Sequence, residues 1–241
     1  MKSELYTMIS VIIPTLNEER YIGRLLQSLK RQTSKSFEVI VVDANSDDST
    51  ADIAKSYGAR VFETRRNVSH QRNYGMEKAK YANKVFLDAD TQVPADLIEK
   101  VDLVFSKGYD YGTARYHIVG GGIYDRLFFR IINAHLFLTQ KIWPCALGSC
   151  IFTNQNIRFN ENISFASDID LVKRCTGRFC IMDEKVYVSA RRFIKDGTRR
   201  TIKNWLKAYF LNFTKEGLLK ADIEYEFGTY KSTKEDMAFS A

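Results

Sequence analysis

Four short apolar runs rich in Val, Ile and Phe fall within the first 90 residues, each ending in polar or acidic residues and each separated from the next by a helical segment. Ile9-Ser10-Val11-Ile12-Ile13-Pro14 leads into Thr15-Leu16-Asn17-Glu18-Glu19, and Ile22, Leu25, Leu26 and Leu29 then recur at helical spacing. Phe37 to Val42 ends at Asp43. The capping-rich stretch Ala44-Asn45-Ser46-Asp47-Asp48-Ser49-Thr50 predicts a helix to about Tyr57, closed by Gly58. Ala59 to Glu63 reads as a third strand, Ser69 to Ala79 as a helix, and Lys84 to Leu87 as a fourth strand running into Asp88-Ala89-Asp90. A helix from Ala95 to Phe105 follows Pro94. Runs this apolar suit strands buried on both faces, and their alternation with helices calls for right-handed crossovers in a parallel sheet. Ligands of open α/β sheets bind beyond the carboxyl ends of the strands, where these polar residues fall.

A chain of 241 residues with 45% hydrophobic and 27% charged content fits one large α/β domain. Its formal charge of +7 invites an anionic partner. No G-x-G-x-x-G follows the first strand and no G-x-x-x-x-G-K-[ST] occurs, which argues against a dinucleotide oxidoreductase and a P-loop NTPase. No aromatic RNA-binding motif is seen, so nucleic acid is not an expected partner. Cys145, Cys150, Cys175 and Cys180 lack the pairing and histidines of zinc sites and read as reduced core thiols of a cytoplasmic protein. Met1 to Leu5 shows no secretory signal, and no run approaches the ~18 apolar residues that span a bilayer, so any membrane contact is expected to be peripheral.

Asp88 and Asp90, two residues apart at a strand end, can project to one side as hard oxygen ligands for Mg²⁺ or Mn²⁺ on a diphosphate. Alone, such a triplet is equally a turn cap. Thr15 and Asn17 lie in the first strand-to-helix loop, where Asn17 has the alternative of a helix cap. Asp43 points into the same crevice, able to accept from a nucleobase N–H or a ribose hydroxyl.

Val11-Ile12-Ile13-Pro14-Thr15-Leu16-Asn17-Glu18, Val41-Val42-Asp43 through Thr50, Arg72-Asn73-Tyr74-Gly75 and Asp88-Ala89-Asp90 resemble, in order and spacing, the family 2 glycosyltransferases of the GT-A fold. The resemblance is strong to about Phe105 and thinner afterwards. It implies a Rossmann-like, mostly parallel mixed sheet flanked by helices. It also implies that Pro14, Thr15, Asn17, Glu18 and Asp43 border the nucleoside, Arg72 the base and diphosphate, and Asp88, Ala89 and Asp90 the ribose and metal. Gln92 completes D-A-D-x-Q-x-P, similar to polyprenyl-phosphate mannosyltransferases, in which the Gln assists the metal.

In the second half, Tyr109 to Ile118 reads as a strand, with Gly120-Gly121-Gly122 after it. Tyr124 to Trp143 is either a helix buried against the sheet or an interfacial one whose basic residues meet lipid phosphates. Gly148 to Phe152, Phe159-Asn160-Glu161 and Phe165 to Leu171 are similar to the acceptor half of the same family. Asp168 aligns there with the catalytic base, although Ser167 stands where Glu is usual. Ser189-Ala190-Arg191-Arg192-Phe193 matches a stretch whose arginines bind the leaving diphosphate, and the helix after it is basic and amphipathic.

The expected organisation is residues 1–105 for the nucleotide sugar, 106–190 for the acceptor, and 191–241 as a basic helix and tail. The expected activity is metal-dependent inverting transfer from a UDP- or GDP-linked sugar to a hydroxyl of a saccharide or a lipid-linked saccharide. Two alternatives stand: a polyprenyl-phosphate acceptor, and a membrane-surface protein that has lost catalysis. The expected location is cytoplasmic, with peripheral contact to the anionic inner face of the cell membrane.

Overall fold

The computed structural model describes residues 7–214 and 217–220; expectations for Met1 to Leu5 and for the tail after Lys220 lie outside the described residues. The elements run β1 (Ile9–Thr15), α1 (Ile22–Lys30), β2 (Phe37–Asp43), α2 (Thr50–Ser56), β3 (Arg60–Glu63), α3 (Val68–Lys78), β4 (Asn83–Leu87), β5 (Thr91–Gln92) and α4 (Leu97–Ser106). The second half adds β6 (Tyr111–Val119), α5 (Ile123–Thr139), β7 (Cys150–Thr153), α6 (Ser167–Arg174), β8 (Phe179–Ser189), α7 (Arg191–Asp196) and α8 (Thr198–Leu211), with a short 3-10 turn at Gly217–Lys220.

One sheet carries all eight strands in the order β3-β2-β1-β4-β7-β6-β8-β5. Parallel pairing joins β1 to β2 and β4, β2 to β3, and β6 to β8, while β4–β7, β6–β7 and β5–β8 are antiparallel. The expected mixed, mostly parallel α/β architecture is therefore present. Every residue of β1 is buried, as its apolar run requires of a strand with neighbours on both sides.

The chain order reverses at β1, which lies between β2 and β4. Pairing of β1 with β4 stops at Ile12 and Phe86, whereas pairing with β2 continues to Thr15 and Asp43. Beyond Ile12 the strands part and leave a crevice at their carboxyl ends, the switch point of an open sheet. Antiparallel β7 starts opposite Leu87, at Cys150, so the residues just before it stand at the same edge.

Two glycines permit close approach, one between helix and sheet and one between neighbouring strands. A Cβ at Gly75 would lie 2.4 Å from Ile12 Cγ2, so this glycine allows α3 to lie directly on β1. At Gly112 a Cβ would stand 2.1 Å from the carbonyl oxygen of Cys180 and 2.4 Å from the Phe152 ring. The backbone of β8 cannot yield there as a side chain can. Gly112→Ala is expected to cost about 2–3 kcal/mol as an overpacking change, read as a lowered urea midpoint with an unchanged slope.

The four cysteines are free, with Cys145, Cys150 and Cys175 buried, in line with their reading as core thiols. Burial pushes the thiols of Cys145 and Cys150 up to about 12. The choice left open for the segment after Gly122 resolves toward a surface helix: within α5 only Asp125, Phe129 and Leu136 are buried.

Candidate active site

A cavity opens at the β1–β4 crevice, bordered by Pro14 near the end of β1 and Glu18 beyond it, by Asp88, Ala89 and Asp90 after β4, and by Arg72 of α3. Gly148 and Ser149 before β7, Asp168 of α6, and Arg191 and Arg192 of α7 add to the lining, with Ser164, Ser167 and Ser189 between them. Phe128, Phe129, Phe165, Phe193 and Trp205 supply an aromatic wall.

The R-N-x-G stretch divides its labour over one turn of α3. The guanidinium of Arg72 donates from Nη2 to Asp88 Oδ1 at 2.8 Å, and its plane lies over the Phe159 ring, 5.0 Å from the centroid. Asn73 fixes that ring by exchanging hydrogen bonds with the Phe159 backbone at 2.8 and 3.0 Å. It also donates to Glu161 at 2.9 Å, and Glu161 accepts from Arg65 at 2.5 Å. Arg72 is buried, and its Nε has no hydrogen-bond partner among the described residues, which leaves donor capacity for a ligand oxygen.

Asp90 is reached from the far end of the chain. The pairing of β5 with β8 sets Thr91 opposite Val188, and Ser189 N–H donates to the Asp90 carbonyl at 3.3 Å. Two residues on, Arg191 donates from Nε to Asp90 Oδ2 at 2.8 Å. Its two Nη atoms bind Glu18 at 2.6 and 2.8 Å, a bidentate fork. Arg191 therefore lies between the buried Glu18 and the partly buried Asp90, over the Tyr21 ring at 4.5 Å. Burial pushes Glu18 up to about 7 against the pull of Arg191, with Asp90 and Asp88 adding to the rise. Asp90 is raised by burial, and the charges of Glu18 and Asp90 hold Arg191 well above its ordinary value despite burial.

The rise at Glu18 fixes a sign. A carboxyl whose folded-state value lies above its unfolded one adds stability below the unfolded value and loses it as pH rises through the folded one. Without metal, the native chain should lose stability between about pH 4.5 and 7, and Glu18→Gln should flatten that slope. Thermal midpoints across this range in chelating buffer check it, and an equal slope in both proteins removes the assignment.

Asp168 sits in the first turn of α6, behind Ala166 with its left-handed φ of 63°. Burial raises its carboxyl, Arg72 opposes the rise, and Asp88 contributes to it. Gly148 separates the two groups: a Cβ there would lie 2.7 Å from Arg72 Nη2 and 3.4 Å from Asp168 Oδ2.

Several sequence-derived candidates stand outside the cavity lining. Asp43 is buried and accepts from Thr15 Oγ1 at 2.7 Å, Ser46 N at 2.7 Å and Ser46 Oγ at 2.6 Å. Asn17, at φ 55°, accepts from the Asp47 N–H at 2.9 Å and so ties the two loops together. Gln92 is drawn into the β5–β8 ladder opposite Tyr187 and does not border the cavity. Among the described residues no group of three or more His, Cys, Asp or Glu side chains is placed to hold a metal ion unaided. Two neighbouring carboxylates are nevertheless the donor set expected where a substrate diphosphate and water complete the coordination of Mg²⁺ or Mn²⁺.

Sequence alone places Gly148 and Ser149 only within a stretch similar to the acceptor half of the family, and it gives the aromatic wall no site role; the fold brings both to the cavity. Ser149 Oγ lies 3.5 Å from Asp88 Oδ2, and its signal was the Gly-Ser pair standing directly before a strand.

The sheet order and flanking helices define a GT-A fold. It is shared with mannosyltransferase PcManGT of Pyrobaculum calidifontis, solved with GDP-Man and Mn²⁺, at TM-score 0.66 and 18% identity over 90% of this chain and 70% of that one. It is shared equally with residues 1–349 of Staphylococcus aureus TarS, solved with UDP, at TM-score 0.62 and 20% identity over 90% and 67%. The chain belongs to glycosyl transferase family 2, whose model matches residues 10–161. Among curated relatives, glycosyltransferase GlyA of Streptococcus pneumoniae is 25% identical over 206 residues, 77% of this chain and 29% of GlyA. The chain spans less than two thirds of the length of the first curated relatives it matches.

Proposed function

We propose that this chain is an inverting glycosyltransferase that moves a sugar from a UDP- or GDP-linked donor to a hydroxyl of a saccharide or lipid-linked saccharide. The observation that carries the reading is one cavity with an Asp-Arg cluster at one end and the buried carboxylate of Asp168 across Gly148 from Arg72.

Arg72, Arg191 and Arg192 bind the diphosphate oxygens, for which guanidinium forks are suited. Thr15, Asn17 and Asp43 shape the nucleoside end, and Pro14, Glu18 and Ala89 border it. Asp88 and Asp90 would hold Mn²⁺ or Mg²⁺, which when bound neutralises charge on the departing diphosphate. The acceptor oxygen attacks the anomeric carbon from the face opposite the diphosphate, so the new C–O bond forms as the old one breaks and the configuration inverts. Asp168 takes the hydroxyl proton, and the nucleoside diphosphate leaves with the bonding electron pair. The aromatic wall excludes water and offers flat surfaces to a sugar ring.

A polyprenyl-phosphate acceptor is the second reading. It rests on the D-A-D-x-Q-x-P pattern, and Gln92's position in the ladder takes away part of its support. The chain is proposed to act in the cytoplasm, peripherally at the membrane where its acceptor is lipid-linked; among the described residues no helix is long and apolar enough to cross a membrane.

Isothermal titration with UDP and GDP, with and without Mn²⁺, tests the donor assignment, and transfer assays across a panel of nucleotide sugars then identify the sugar. Metal-dependent binding of one nucleotide is expected. Binding of neither would sink the enzyme reading and leave the non-catalytic alternative.

A further inference from the structure

We infer that α5 and α8 form one docking face for anionic lipid bilayers, set beside the aromatic wall of the cavity. α5 turns Phe129 and Leu136 inward and leaves Ile123, Leu127, Ile131 and Leu138 outward, at exposures of 69%, 51%, 59% and 77%. These four recur at intervals of four, four and seven residues, so they form a single outward stripe. Ile142 extends the stripe past the helix end at 86% exposure. Large aliphatic side chains this exposed in one row mark a contact surface rather than scattered surface residues.

The two helices are fastened to each other. Asp125, buried at the start of α5, accepts from the Gly122 N–H at 2.7 Å and from Thr198 Oγ1, at the start of α8, at 2.5 Å. Farther along, His135 Nε2 and Tyr209 Oη are 2.9 Å apart, and the Trp143 and Phe213 rings stack at 4.2 Å. Leu206 and Phe210 of α8 are exposed as well, and with Arg199 and Lys203 they line a shallow apolar groove.

Charge selects the occupant. Residues 123–143 and 198–211 hold seven Lys and Arg and one acid, the buried Asp125, so they carry a surplus of six out of the chain's +7. Arg126, Arg130, Lys141, Arg199 and Lys203 are all exposed around the aliphatic stripe. A second copy of this chain would bring like basic rims together, and a nucleic acid would leave the aliphatic row in water. An anionic bilayer satisfies both, taking Ile and Leu into the acyl boundary and the basic rim to its phosphates.

The face is defined without reference to catalysis, but its purpose rests on the proposed transfer. Phe128, Phe129 and Trp205 belong to these same helices and line the cavity, so an acceptor carried in the bilayer would meet the cavity at its aromatic wall.

Flotation of the full chain with vesicles of phosphatidylcholine, alone and mixed with phosphatidylglycerol, tests the face at low and high salt. Binding is expected only with phosphatidylglycerol and should weaken with salt. Arg199→Ala combined with Lys203→Ala should weaken it about thirtyfold, at about fivefold per charge. Leu127→Asn combined with Ile131→Asn should weaken it at both salt concentrations. None of these four residues lines the cavity, so nucleotide titration of the variants should match the native chain and doubles as a check on folding. Equal flotation with and without phosphatidylglycerol, or flotation with neither, overturns the inference. So does a dimer in sedimentation that Leu127→Asn and Ile131→Asn dissolve while vesicle binding persists. Loss of the donor assignment would leave the flotation result intact, so the two failures are distinguishable.

Discussion

Replacing Asp168 with Asn should lower kcat by about 10²–10⁴-fold, the range for a positioned base, while nucleotide affinity and fold are kept. Asn matches Asp in shape and still accepts a hydrogen bond, yet it cannot take a proton from the acceptor. Native activity should fall as pH drops through the raised value of the buried Asp168 carboxyl, and the variant should lack that acid limb. The same rise means that the ionised side chain costs stability near neutrality, so the Asn variant should melt at the native temperature or above it. A purely structural Asp168 would instead lower melting temperature and activity together. Turnover near the native level, with donor and metal saturating, would remove the base and shift the acceptor to one already ionised, a lipid phosphate.

Arg191→Ala should cost about 3–5 kcal/mol of stability, the range for removing one partner of a buried ion pair. The loss follows from what remains: Glu18 is 2% exposed and Asp90 13%, and wherever they are ionised their charges would face each other without the guanidinium between them. Each would respond by binding a proton more readily, so the cost should shrink from about pH 8 to about pH 5.5. Urea unfolding of both proteins at the two pH values measures it. Arg191→Lys should recover part of the stability, because the charge returns, but little nucleotide affinity, because the fork that spans Glu18 and Asp90 does not. A difference below about 0.5 kcal/mol for Arg191→Ala would mean that water solvates the cluster as well as the guanidinium does.

The two halves of the chain differ in how openly they declare themselves in sequence. β1, β2 and β4 are signalled by short runs dominated by Val, Ile, Phe and Leu, because an inner strand covered on both faces has little polar face to blur the pattern, and Phe37–Asp43 emerges with the bounds read from sequence. The same clarity puts Glu18, Asp88 and Asp90 at strand ends before any coordinates are needed. β5 is two residues long, too short for any periodicity, so its pairing with β8 and the delivery of Arg191 to Asp90 are written only in the tertiary fold. That pairing also engages Gln92, which in sequence resembles a metal-assisting residue. Thr15 and Asp43 read as two ligands for a nucleoside, yet they bond to each other first, a choice that depends on the β1–β2 register and not on either residue alone. Apolar content made α5 equally a core or a surface helix, and only its packing shows that most of that content faces outward.

The fork of Arg191 joins residues 173 positions apart in the chain. Contacts of such separation close late, because loop entropy must be met before they reward the chain, whereas β1 to β4 are linked through nearby pairings. During synthesis, Glu18, Asp88 and Asp90 are assembled by the first hundred residues, with Arg72 already at hand for Asp88, whereas Arg191 emerges much later. The partly made chain therefore presents Glu18 and Asp90 without their guanidinium until Arg191 docks, so closure of the site follows assembly of the first half of the sheet.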